Sequence, residues 1–449
     1  MIKFKLDSLI IILFSCLILP IVIFLFSWIH IALSLAFCSV LIYLYYQFIK
    51  QLTFIDFFEI SYKDIFILSI GCLYIIYTSG IGGFTEQKQD LFFRSNLVYS
   101  HLIYNDWPVI VNQPLSEYNH FSYYLAYFLP TSFLYNLFDS FVSISFLELF
   151  WVFLIFFTSS LIFFSKYGYK YLLLFLILPN GIFWLFDKFI FNNILPFRYF
   201  SVITNLAHGP QQVLATFLGV IIIEKLIADK IIKWIPFIIV LVFFWSPFIA
   251  IGLFLLYLVP YFWKYKFLTS INLYSFILLM LFFMFFGSKN TTFHFYFVNF
   301  KQNWLRYLSF WMIDFGLLFY LFYESISKKN RNRIIYFTIL LIVFSLFNFG
   351  KYNDFMNKTS IPVLFLFHRT LFNSLLNKRN YFLGLIIIAF SASSIKILLN
   401  YKMSELSMEN RVKFYKGKNF NDLYHDDEVN SQFYSSEKSF YNTYLARKK

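Results

Sequence analysis

The chain has 449 residues, 60% of them hydrophobic and 24% aromatic, and only 13% charged. Soluble domains average about half apolar and a quarter charged, so a water-soluble globular enzyme is excluded, and the unbroken apolar runs exclude a β-barrel. The net charge of +14 would suggest nucleic acid in a soluble protein. Here the basic residues sit in short loops between apolar runs, where membrane orientation and anionic lipid account for them.

In chain order, the first apolar run, 7–28, follows Lys3 and Lys5 like a signal peptide. It is too long for one, lacks a small-residue cleavage site and leads straight into another run, so we read it as retained. Further candidate spans are 29–49, 65–83, 121–138, 141–164, 171–187, 210–227, 235–263, 271–287, 308–326, 334–349, 361–377 and 381–399. The expected fold is an all-α polytopic transmembrane helix bundle of about 11–13 membrane segments over 1–399. The remaining 400–449 reads as a polar tail, disordered or a small surface appendage. Cys16, Cys38 and Cys72 all lie inside spans and suggest neither disulfides nor a metal site. The abundance of Phe, 67 residues, and Tyr, 34 residues, carries no function of its own, because lipid tolerates any apolar side chain.

Basic loops at 166–170, 225–233, 264–266, 328–333 and 378–379 should face the cytoplasm. That places 84–120, 188–209, 288–307, 350–360 and the tail outside. Two runs break the parity. Segment 235–263 has basic loops at both ends, and Ser246-Pro247 predicts a bend with both ends on the cytoplasmic side. Segment 121–138, with Pro130, can be short, re-entrant or interfacial.

The stretch 84–120 is where the chemistry concentrates, with Glu86, Asp90, Arg94, His101, Asp106 and Glu117. Other outer loops add Arg198, His208, Gln211, Gln212, His294, Lys301, Arg306, Asp354 and Lys358. A reaction at a membrane face needs such a set: a base to accept a proton and cations to hold a phosphate. Each loop charge also has a plain role in contact with water and headgroups. His208 has the plain role of a helix cap, and the glutamines that of bonding neighbouring helices. Glu148 and Asp314 lie inside apolar runs, and we read them as paired within the bundle. No HExxH, CxxC, Walker loop or GxGxxG occurs, so no metal or other cofactor is expected.

A span, an outer loop with a lone Asp90, the helix-like LFFRSNLVYSHLIY, the turn Asn105-Asp106-Trp107-Pro108, the Tyr-rich HFSYYLAYFLPTSFLYNLF and the basic SKYGYK follow in order. This order resembles the GT-C-fold membrane glycosyltransferases, lipid-A aminoarabinose transferases and protein O-mannosyltransferases among them, over roughly residues 65–170. It departs from them in having Leu91 where a Glu often follows the Asp, and in placing two spans ahead of the loop-bearing helix. The resemblance implies short amphipathic helices in the outer loop and Asp90 as general base. The donor would be a polyprenyl-phosphate-linked sugar and the acceptor a glycan, lipid or protein. Arg94, His101, Arg198, His208, Gln211, Arg306, Asp354 and Lys358 would bind substrate. Membrane lipid, and no nucleic acid, is the other expected partner, and a bacterial inner membrane the expected location. The alternative is a transporter, flippase or polymerase of lipid-linked saccharides.

Overall fold

The computed structural model describes residues 1–86, 89–110, 118–138, 141–164, 202–261, 269–288, 295–297, 300–312, 328–349, 354–378, 399, 402–417, 434–436, 439 and 441–447. The chain is mostly helical. Four described helices are long and apolar enough to cross a membrane: α1 (Leu6–Trp28), α2 (Ile31–Ile49), α6 (Ile144–Phe164) and α8 (Pro210–Ala228). Between α2 and α6 come α3 (Tyr62–Thr78), α4 (Gln89–Tyr104) and α5 (Leu129–Leu137), and α7 (Val202–His208) leads into α8. Within its most apolar window α8 is 83% buried and α2 only 28%, so α8 is central and α2 lies at the rim. The expected span 171–187, all of 381–399 but residue 399, and most of 308–326 lie outside the described residues.

One end of the bundle is basic. There β1 (Ile2–Lys5) pairs antiparallel with β2 (Phe57–Ile60), with Lys3 stacked over the Phe57 ring at 4.7 Å. The buried Lys225 ammonium ties three segments together, reaching Asp56 at 2.6 Å, Asp229 at 3.0 Å and Asp7 at 3.1 Å. Asp7 also accepts the Phe54 backbone N–H at 2.7 Å. A lysine this enclosed is tolerable only because carboxylates surround it.

Segment 121–138 is not a full span. It holds a 3-10 turn at Leu125–Tyr127 and the 9-residue α5. Nine residues rise ~14 Å, under half the ~30 Å hydrocarbon core. The parity conflict therefore disappears.

The bend at Ser246-Pro247 is present. α9 (Ile235–Trp245) ends at Ser246, whose extended backbone (φ −162°) turns the chain into α10 (Pro247–Leu253), a π turn at Phe254–Leu258 and a last helical turn at Val259–Tyr261. Trp234 Nε1 donates to Gln51 at 2.9 Å and the Tyr257 hydroxyl to Glu224 at 2.9 Å. Gln51 follows α2 and Glu224 precedes Lys225, so both feet of this hairpin stand at the basic end. Its tip stops near mid-α1, where Trp245 Nε1 meets the Leu17 carbonyl at 3.2 Å. Proline supplies the break because it has no N–H to donate.

Beyond the hairpin come α11 (Ser270–Phe286), α12 (Phe300–Trp311), α13 (Lys328–Ser345), α14 (Asp354–Thr359) and α15 (Ile361–Lys378). Strands β5 (Phe295–Phe297) and β6 (Phe347–Phe349) pair antiparallel. All described strands form two-stranded pairs, small additions to a helical protein that the all-α expectation did not include.

The described parts of the tail contribute short strands and a helix. They pack on the end opposite the basic one. β7 (Lys402–Met403) pairs with β3 (Thr85–Glu86), and β8 (Tyr434–Ser436) pairs with β4 (Tyr118–Phe121). α16 (Met408–Phe414) lies against α4, and Tyr441, fully buried, donates to the Trp28 carbonyl at 3.3 Å. The two strands that bracket α4 are thus both paired by the tail.

Candidate active site

The chain leaves α3 through Gly80, Gly82 and Gly83, all with positive φ (+80°, +81° and +69°). A Cβ at Gly82 would sit 2.7 Å from the Phe84 ring and 3.0 Å from the Ser145 carbonyl. Glycine is required there both by conformation and by space. The turn delivers the chain through β3 into α4, whose second residue is Asp90.

Glu148, near the start of α6 and buried, holds this arrangement. Its Oε2 accepts the Gly82 N–H at 2.8 Å, and its Oε1 accepts the hydroxyls of Tyr127 at 2.7 Å and Tyr99 at 3.1 Å. Thr131 Oγ1 lies 3.0 Å from the Tyr99 hydroxyl oxygen. One carboxylate therefore joins the glycine turn, α4 and the Leu125–Tyr127 turn to α6. Burial first, and the Glu148 charge second, push the Tyr99 phenol well above its ordinary range, so it stays a donor. This is the structural pairing within the bundle expected of Glu148, with tyrosines as direct partners.

The tail supplies the nearby cation. Arg411, 4% exposed, donates from Nη2 to the Gly83 carbonyl at 2.6 Å and from Nη1 to the Leu406 carbonyl at 2.9 Å and the Ser404 hydroxyl. Lys402 and Glu86 form an exposed ion pair at 3.3 Å beside it. Lys416 sits over the Tyr104 ring at 4.9 Å.

The catalytic candidate Asp90 and the substrate-binding candidates fall on several elements. Asp90 and Arg94 lie in the first half of α4. His101, on the same helix, is buried with its ring 5.4 Å from Phe121, and burial pushes its imidazole down to about 4. The enclosed ring packs α4 against Phe121. His208 ends α7, which touches α4. Gln211 is buried in the first turn of α8. Its neighbour Gln212 accepts from the hairpin-tip Ser246 hydroxyl. Lys358, on α14, stacks over Phe248 at 5.5 Å. Gln212 and Lys358 so both meet the hairpin tip. Asp354 opens α14 and Arg306 lies within α12, while Arg198, His294 and Asp314 fall outside the described residues.

No family model, curated protein or solved structure matches the chain. Its site therefore stands on its own geometry. Asp106 is exposed in the turn after α4, where Trp107 Nε1 donates to the Leu102 carbonyl at 2.8 Å and Asn105 Nδ2 to the His101 carbonyl at 3.0 Å. Arg411 was missed in the sequence. Nothing marks it among the basic residues of a polar tail, and the pairing of β7 with β3 and the packing of α16 on α4 bring it to Gly83.

Proposed function

We propose that the chain is a multi-pass membrane glycosyltransferase resembling the GT-C-fold enzymes, with its basic end in the cytoplasm of a bacterial inner membrane. It moves a sugar from a polyprenyl-phosphate-linked donor to an acceptor hydroxyl at the opposite face. The observation that carries this reading is the mounting of α4. Its start follows the glycine turn held by Glu148, its body is bonded through Tyr99, and tail strands close both flanks. A fixed carboxylate-bearing helix suits catalysis, which rests on a base held in one place.

In the reaction, the acceptor O–H gives its proton to the Asp90 carboxylate. The acceptor oxygen bonds to the anomeric carbon as the bond from that carbon to the phosphate oxygen breaks, inverting configuration. The lipid phosphate leaves with the bonding electron pair. Lys358, Arg198 or Arg306 stabilises that anion by charge-assisted hydrogen bonding.

A second reading, transport of a lipid-linked saccharide, is favoured by the re-entrant hairpin at 235–261, a feature of transporters with interrupted helices. The two part in one experiment. The purified chain is supplied with polyprenyl-phosphate sugars and assayed for release of polyprenyl phosphate, while the chain in sealed vesicles is assayed for movement of the same lipid. Release without movement supports the transferase, and movement without release replaces it with the transporter.

A further inference from the structure

The hairpin leaves a crevice on the side of the bundle, between α9, α10 with its π turn, and α11. Its volume is about 740 Å³. Pro236 and Phe243 line it from α9, Ile251 and Leu258 from the descending arm, and Leu273 and Phe276 from α11. Leu273 and Phe276 are also largely exposed, at 64% and 56%, so the crevice opens outward along α11. In a bilayer such a space fills with hydrocarbon, because a void forfeits the dispersion contacts of its whole lining.

Shape and charge narrow the occupant. One turn of a helix 10 Å across fills roughly 400 Å³, so the crevice is too small for two turns of a partner helix. A lipid chain fits. Three of the four polar side chains lining the crevice, Thr269, Ser270 and Asn272, gather at one end in the first turn of the 17-residue α11, and the fourth, Ser275, is turned back onto the Ile271 carbonyl at 2.7 Å. Thr269 caps that turn by accepting the Asn272 N–H at 3.2 Å, which leaves its own hydroxyl proton to donate outward. The helix N-terminus carries positive partial charge. Lys233 adds a full one, exposed on the 3-10 turn Ile232–Trp234 that packs against α11, and Lys230 is exposed just before it. Both hairpin feet and these lysines stand at the basic end.

We propose that this crevice holds one anionic phospholipid. A hydrocarbon chain lies along the hairpin, and the phosphate headgroup meets the α11 N-terminus, the Thr269 and Ser270 hydroxyls and Lys233. The site depends on the chain lying in a membrane and is independent of the transferase reading, whose donor acts at the other end. The lipid completes the packing of a hairpin too short to face the bilayer over its full depth: α9 rises only ~16 Å against a ~30 Å core.

The test is native mass spectrometry of the full chain purified in mild detergent, with phosphatidylglycerol, phosphatidylcholine and undecaprenyl phosphate offered at equal concentration. One phosphatidylglycerol should be retained, at least about tenfold over phosphatidylcholine, as expected for a few charge-assisted contacts. Lys233→Glu should abolish that preference, and Ile251→Trp, which fills the crevice, should abolish retention. A second measurement does not depend on a filled core. Leu273→Trp places a reporter at the exposed rim, and brominated phosphatidylglycerol should quench the added fluorescence more than brominated phosphatidylcholine. Equal retention of the two phospholipids, equal quenching by their brominated forms, or preferential retention of undecaprenyl phosphate would each overturn the assignment.

Discussion

The Tyr127 hydroxyl donates a 2.7 Å hydrogen bond to Glu148 Oε1, the atom that also receives Tyr99. Through this carboxylate the segment on the far side of α4 is bonded to α6. Hydrogen bonds to a charged group contribute ~1.5–3 kcal/mol each, and Glu148→Ala leaves two buried phenols and the Gly82 N–H without this acceptor. Glu148→Ala should therefore lower the thermal unfolding temperature in detergent far more than Glu148→Gln, which keeps an acceptor. Tyr127→Phe should fall between the unsubstituted chain and Glu148→Ala. An unchanged unfolding temperature for Glu148→Ala would mean that the carboxylate does not hold this end together.

Glu148 was legible in the sequence as a carboxylate inside an apolar run, and its structural role followed from the cost of leaving it unpaired. Its partners were not legible, because Tyr99 and Tyr127 lie 49 and 21 positions away among many other tyrosines. The Pro247 break was readable because proline acts locally. Segment 121–138 was ambiguous because composition alone cannot separate a short buried helix from a span. The contacts of the tail were not legible for a related reason. Its strands are two or three residues long and exist only through pairing with β3 and β4, a tertiary effect with no local pattern.

Arg411 joins the tail to the glycine turn. Arg411→Ala removes its bonds to the Gly83 and Leu406 carbonyls, a loss of ~1.5–3 kcal/mol. Where opening is fast relative to cleavage, this predicts a roughly 10- to 100-fold rise in proteolysis of the tail with helical content unchanged. Gly83→Ala should do the same, since its Cβ would collide with the Arg411 guanidinium at a φ of +69°. Unchanged protection in both variants would detach the tail from this role.

His101 makes stability depend on pH. An unfolded histidine protonates near 6.5, whereas burial holds the folded imidazole down to about 4. Between these values the unfolded chain binds a proton that the folded chain refuses, so stability falls as pH falls through that window. The loss is complete below about pH 4 and amounts to about 3 kcal/mol. His101→Leu should flatten this part of the unfolding-temperature profile between pH 7 and 4. A profile that keeps its slope in the variant would assign the dependence to another group.

Two glycines on facing helices should respond differently to alanine. A Cβ on Gly252, in α10, would strike the Thr359 backbone carbonyl, whereas one on Gly219, in α8, would strike the Leu253 side chain and lie 3.2 Å from Val242 Cγ2. A leucine methyl can rotate away and a backbone carbonyl cannot. Gly252→Ala should cost toward the upper end of the ~1–3 kcal/mol of overpacking and Gly219→Ala toward the lower. The reverse order in thermal unfolding would contradict the packing of α10 between α8 and α14.

The catalytic reading rests on Asp90, the second residue of α4. A carboxylate ionised near neutral pH accepts a proton from the acceptor hydroxyl; an asparagine of the same shape does not. General-base catalysis typically contributes about 100- to 10,000-fold. Asp90→Asn should reduce release of polyprenyl phosphate by that order while leaving the unfolding temperature nearly unchanged, because the amide keeps the size and shape of the side chain. Asp106→Asn is the matched control: an exposed aspartate just past the same helix should keep close to full turnover. Lys358→Ala should raise the donor concentration needed for half-maximal rate if its ammonium meets the phosphate, and should leave the acceptor dependence alone. Full turnover in Asp90→Asn together with its loss in Asp354→Asn would move the base to the start of α14.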